Sequence, residues 1–222
     1  EKLLQMIKIG VPAGIQSATF SISNVLIQST INSFGSIAMA GSPAGGNIEG
    51  FVWTAMDAFT QSTLSFTGQN YGAKKFHRIT KVVWYNLGLV TVVGLVLGIG
   101  AYLVGPWVLQ VYSSDPEVIA YGLERMLLVC TPYALCGVMN VLVGAMRGLG
   151  SSLTPMVVSI FGVCVLRVVW IYTVFPLDPS FAMLFLSYPV TWAVTAAIEV
   201  VCFFVIRKKA IARAGGMAAD AD

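Results

Sequence analysis

Glu49, Trp53, Asp57, Gln61 and Ser65 recur at steps of four, an interval that returns side chains to nearly the same face of an α-helix. Two carboxylates flanking an indole suit the capture of an organic cation, by charge and by cation–π contact. Carboxylates held out of water are also groups that exchange protons near neutral pH. A second series, Gln16, Asn24, Gln28 and Asn32, lies at multiples of four upstream, and Asn140 adds a further amide. Such amides either line a wet cavity or hydrogen-bond between helices, and spacing alone leaves both readings open. Arg167 and Glu199 sit in apolar stretches at depths about 9 Å apart at ~1.5 Å per residue, which long side chains can bridge. A structural ion pair is the expectation there.

The elements that position these groups are membrane helices. The chain is 57% apolar and 10% charged with a mean hydropathy of +0.81 over 222 residues. A soluble domain is about 45–50% apolar. Uncharged runs of spanning length point to a helical bundle, because backbone exposed to lipid must satisfy its hydrogen bonds internally and a barrel would show short alternating segments. A carboxylate at the bilayer centre costs about 2.5–3.5 kcal/mol, so the stripe on 49–65 must face a bundle interior or a hydrated path.

Six spans are expected, over 9–34, 37–67, 82–104, 118–146, 153–175 and 181–206, forming one lobe over 1–209. A polar tail at 210–222 reads as disordered. Residues Gly41–Gly46 are rich in Gly and contain Pro43, which is compatible with a loop or with a break inside the second span. Pro132 and Gly137 are expected to kink or loosen the fourth. Lys74, Lys75, Arg78 and Lys81 crowd the connection after the second span, whereas Asp115, Glu117 and Asp178 mark the opposite side. Of the 13 Lys and Arg residues, all but Arg125 and Arg167 fall on the side of the basic loop. Short loops carrying Lys and Arg stay cytoplasmic, so both termini are placed inside a multi-pass protein, in a cell membrane that reads as a bacterial inner membrane.

Other classes find little support. Cys130, Cys136, Cys164 and Cys202 lie in apolar runs with no metal-like spacing and read as small buried hydrophobes. No HExxH, GxSxG or phosphate-binding glycine loop with its Lys occurs, so no enzyme, metal site or cofactor is expected. The net charge of +3 demands no acidic partner, and no nucleic acid is implied. His77 sits in the basic loop as a solvated side chain.

The run Gly68-Gln-Asn-Tyr-Gly72-Ala-Lys-Lys75, between two spans, resembles the corresponding loop of the multidrug and toxic compound extrusion (MATE) transporters. Gly10-Val-Pro12-Ala-Gly-Ile-Gln16 leading into Ile31-Asn32-Ser-Phe-Gly35, the Arg147-Gly-Leu-Gly150 turn, Trp170 to Pro176 and Ser187-Tyr-Pro189-Val-Thr-Trp192 look like the carboxy-terminal six-helix lobe of that family. The resemblance covers residues 9 to 209. It implies half of a twelve-helix antiporter, with substrate held between two lobes and released by alternating access. It also implies amphipathic organic cations or drugs as cargo and H⁺ or Na⁺ as the coupling ion. The implied partner is a missing amino-terminal lobe of the same protein, or a second copy. A fragment fits the half length and the absent initiator Met better than a pair of copies.

The chain departs from the family in two places. The acidic residue of the fourth span is matched by Cys136, and the first-span glutamate by Phe20 or Gln16, which leaves the coupling ion open. A lipid-linked oligosaccharide flippase of the same superfamily is the alternative, though it should show a strongly cationic cavity. A non-transporting scaffold would leave the polar stripes unexplained.

Overall fold

The computed structural model describes residues 2–219, and side chains as far as Ala214 apart from Lys2 and Gln5. Its elements are α1 (Lys2–Asn32), α2 (Ser36–Gly72), α3 (Phe76–Leu109), α4 (Pro116–Val129), α5 (Tyr133–Gly148), α6 (Leu153–Ser159), a π-helical turn (Ile160–Val165), α7 (Leu166–Thr173), a 3-10 turn (Phe175–Leu177) and α8 (Phe181–Ala219). The described residues are thus all-α. α4 and α5 make one rod bent by 48°, and α6, the π turn and α7 make another without a gap. Grouped in this way, six rods run back and forth.

Length and apolar composition fit α3, Leu153–Leu177 and Phe181–Ala214 to cross a bilayer, and the bent α4–α5 pair becomes a fourth if taken as one span. α1 and α2 have 31 and 37 residues, more than the ~20 a span requires, but their polar stripes dilute their apolar character. The outer surface is apolar all the same. α3 buries a line of small or apolar residues through Ile79, Val83, Val90, Gly94 and Gly98 and exposes Trp84, Tyr85, Val92, Val96, Leu103 and Trp107.

Tight turns set the rods side by side. Gly35 and Gly150 adopt φ of 94° and 81°, in the left-handed region that glycine enters without steric cost. At the second of these, the Gly150 and Ser151 N–H groups donate to the carbonyls of Arg147 and Met146 and close the end of α5. At one end of the bundle Phe34 meets the rings of Phe175 and Phe181. At the other, the Tyr71 hydroxyl reaches the Ala210 carbonyl.

α2 lies along α5 with very little space between them. A β-carbon at Gly144 would come within 2.7 Å of the Thr60 carbonyl oxygen, and one at Gly148 within 2.8 Å of the Leu64 carbonyl oxygen. Small residues permit this approach where apolar surface gains nothing by leaving lipid.

Three local features differ from the sequence reading or resolve it. Gly41–Gly46 is continuous helix within α2, and Pro43 is carried inside it. The fourth rod is broken at Cys130–Pro132 rather than merely kinked. Residues 210–219, placed in a disordered tail, prolong α8 instead, in keeping with the helix preference of their alanines; residues 220–222 lie outside the described residues.

Candidate functional site: a charged and aromatic cavity

A cavity of about 480 Å³ opens between α1, α2, α4, α5, α7 and α8, within the size range of small-molecule sites. α1 contributes Ser17, Phe20, Ser21, Asn24 and Gln28, and α2 contributes Gly46, Glu49, Gly50 and Trp53. Arg125 enters from α4, Tyr133, Cys136 and Asn140 from α5, Arg167 from α7, and Tyr188 and Trp192 from α8.

Charge in the cavity is arranged in two units. The first is an ion pair in which Arg125 Nη2 lies 2.8 Å from Glu49 Oε2, each side chain 15% exposed. Arg125 Nη1 also donates to the Ser42 carbonyl and hydroxyl oxygens, both at 3.1 Å. Gly46 makes room for this crossing, because a β-carbon there would stand 2.9 Å from Arg125 Nη2. The Tyr133 hydroxyl donates to Glu49 Oε1 at 3.4 Å, so both oxygens of this carboxylate are occupied.

The second unit is Arg167, 4% exposed, whose guanidinium carbon lies 3.9 Å from the centre of the Tyr188 ring. Its hydrogen bond from Nη2 to Thr191 Oγ1 is long at 3.5 Å. Its Nε is buried with no partner among the described residues. Aromatic rings join the two units. Arg125 sits over Phe185 at 5.3 Å, Phe185 stacks on Tyr188 at 5.6 Å, and Trp192 meets both Tyr188 and Tyr133 edge-on.

The structure sorts the sequence candidates. Glu49, Trp53, Asn24, Gln28 and Asn140 line the cavity; Asp57, Gln61, Gln16 and Asn32 do not. Glu49 is neither a free acceptor for a cation nor simply solvated, because Arg125 holds it. Asp57 and Gln61 fall off the wall because four residues turn a helix about 40° beyond a full circle, so two further steps after Trp53 rotate the stripe away. Asp57 is half-buried and Gln61 exposed. Gln16 is buried and accepts a 2.8 Å hydrogen bond from Arg147 Nη2, which is the interhelical role. Asn32 is exposed and accepts from Gln28 Nε2. Asn140 donates to the Cys136 carbonyl oxygen at 2.9 Å, and Phe20 and Cys136 are both on the wall.

The expected Arg167–Glu199 ion pair does not form. Glu199 is fully buried and accepts from the Ser159 hydroxyl at 2.9 Å, while Arg167 faces Thr191. The antiparallel register of the fifth and sixth rods sets 159 beside 199 and 167 beside 191. The two charges therefore stand about 12 Å apart in depth at 1.5 Å per residue, beyond the reach of one bridge.

Arg125, Tyr133, Tyr188 and Trp192 were missed as site residues. An Arg well inside an apolar run is a functional signal by default, and Phe185, Tyr188 and Trp192 follow the three- and four-residue spacing of one helix face. What the sequence withheld was that Arg125 and Glu49 meet.

These features define, over the described residues, an all-helical multi-pass membrane protein with a charged, ring-lined cavity. The MatE family model matches residues 12–173, and the chain belongs to that family of MATE transporters. The chain is 26% identical over 163 residues to the probable multidrug resistance protein YoeA of Bacillus subtilis, covering 73% of this chain and 35% of that protein. It is 30% identical over 159 residues to the probable multidrug resistance protein NorM of Aromatoleum aromaticum, covering 69% and 33%. Among solved structures it superposes on the MATE transporter ClbM in complex with Rb⁺ with a TM-score of 0.86 at 16% identity, over 96% of this chain and 50% of that one. On the Vibrio cholerae MATE transporter VcmN in its bent form the TM-score is 0.83 at 18% identity, over 92% and 47%. The chain thus spans about a third of these curated relatives and about half of each solved transporter.

Proposed function

We propose that this chain is the carboxy-terminal six-helix lobe of a twelve-helix antiporter that exports amphipathic small molecules by alternating access. H⁺ or Na⁺ entry drives the cycle, and both chain ends face the cytoplasm of a bacterial inner membrane. An amino-terminal lobe of the same protein supplies the opposite wall. The observation that carries this reading is the cavity itself. In a chain of this family, it combines one buried and one half-buried guanidinium group, one carboxylate and a run of aromatic rings in a space that fits a small ligand.

For the coupling ion, the group in this lobe that supports uptake is Glu199. It is fully buried, one oxygen is held by Ser159, and Oε2 has no partner. A buried carboxylate in that condition is stabilised by taking a proton or a small cation. The π turn at Ile160–Val165 begins at the residue after Ser159, and such turns often mark working segments of a helix.

The organic-cation cargo implied by resemblance finds Trp53 on the wall, but it finds Glu49 already bound to Arg125. The reading of export is tested in everted vesicles containing the complete transporter and a panel of fluorescent aromatic amphiphiles of either charge. Gradient-dependent movement of at least one of them is expected, and it should be lost in Trp192→Ala at unchanged membrane abundance. Failure to move any panel member under either ion gradient would end the proposal.

A further inference from the structure

We infer that the cavity receives the acid group of an aromatic carboxylate monoanion, and that Arg167 is the receptor for it. The inference rests on the export reading above and names its cargo.

Three charged side chains line the cavity, Glu49, Arg125 and Arg167. The first two cancel each other at 2.8 Å, and Tyr133 occupies the remaining carboxylate oxygen. The unpaired charge on the wall is therefore positive and belongs to Arg167. Its guanidinium lies over the Tyr188 ring, bonded only weakly to Thr191, and buried with Nε unpartnered among the described residues. The acid expected to neutralise it, Glu199, is bonded to Ser159 at a different depth.

A buried cation without a counterion is costly, and the planar fork of a guanidinium matches a carboxylate through two parallel hydrogen bonds. A monoanion balances this charge. A pyrophosphate head would bring surplus negative charge that nothing on this wall compensates. An organic cation would have to displace Arg125 from Glu49 while standing in the field of Arg167. Trp192 and Trp53 line the same cavity as the fork, which favours an aromatic body for the cargo.

The test compares 9-anthracenecarboxylate with 9-(aminomethyl)anthracene, which share a ring system and differ in charge, in vesicles holding the complete transporter. The carboxylate should be moved, and Arg167→Gln should lower its apparent affinity roughly tenfold or more, the worth of a lost charge-assisted hydrogen bond. The same variant should leave the amine unaffected or improved. Movement of the amine alone overturns the inference and leaves the export reading standing. Movement of neither probe, together with failure of the wider panel, removes both. An equal loss for both probes in Arg167→Gln assigns Arg167 a structural role and likewise overturns it. A titration of purified wild-type transporter needs no variant. Quenching of tryptophan fluorescence by the carboxylate, competed by benzoate and not by benzylamine, is expected, and quenching by the amine alone overturns the inference.

Discussion

Arg125 and Glu49, 76 residues apart in the chain, meet at 2.8 Å and carry the ion pair found among the described residues. Because both side chains are largely withdrawn from solvent, removing one partner strands the other. Glu49→Gln and Arg125→Gln should each destabilise the protein by roughly 3 kcal/mol, and the double variant should recover part of that loss. Thermal unfolding in detergent checks this. Losses that simply add would show that the pair is not coupled.

Asp57 belongs to the polar stripe on 49–65, yet it stands off the cavity wall. Asp57→Asn should therefore leave export of every panel compound within about twofold of wild type. A large loss at normal membrane abundance would mean that Asp57 reaches the transport path in another conformation.

Glu199→Gln removes the charge and keeps the hydrogen bond to Ser159. Export driven by an imposed ion gradient should fall at least tenfold, whereas binding of the cargo to detergent-solubilised protein should change by less than about twofold. Equal loss of both would point to misfolding and not to coupling.

Gly144 and Gly148 let α5 approach the backbone of α2. Gly144→Val should separate the two helices and cost about 1–3 kcal/mol, as expected of overpacking, visible as a lower melting temperature and a smaller monodisperse fraction. An unchanged melting temperature would show that the contact is slack.

The path of the chain was legible because lipid imposes coarse rules. The uncharged run at 82–104, the apolar run at 181–206, the basic segments at 74–81 and 207–209, and Gly35 and Gly150 at their bends each have a one-dimensional signature. The site was less legible because its decisive facts are pairwise. Periodicity puts Glu49 and Trp53 on one face, and both line the cavity, but it extends the same stripe to Asp57 and Gln61, although the small angular drift per step accumulates to carry them off it. Arg167 and Glu199 looked like partners because both are buried charges on successive rods. Only the register of the α6–α7 rod against α8 sets Arg167 level with Thr191 and Glu199 level with Ser159. Nothing in the order of residues announces that Arg125 crosses over Gly46 to find its acid.

The break at Cys130–Pro132 has Arg125 on one arm and Tyr133 on the other, and both reach the carboxylate of Glu49 on α2. Glu49 is thus a strut across an elbow. Straightening or folding that joint lengthens one of its two tethers, so a movement of the α4 arm is felt at once at the wall of the cavity.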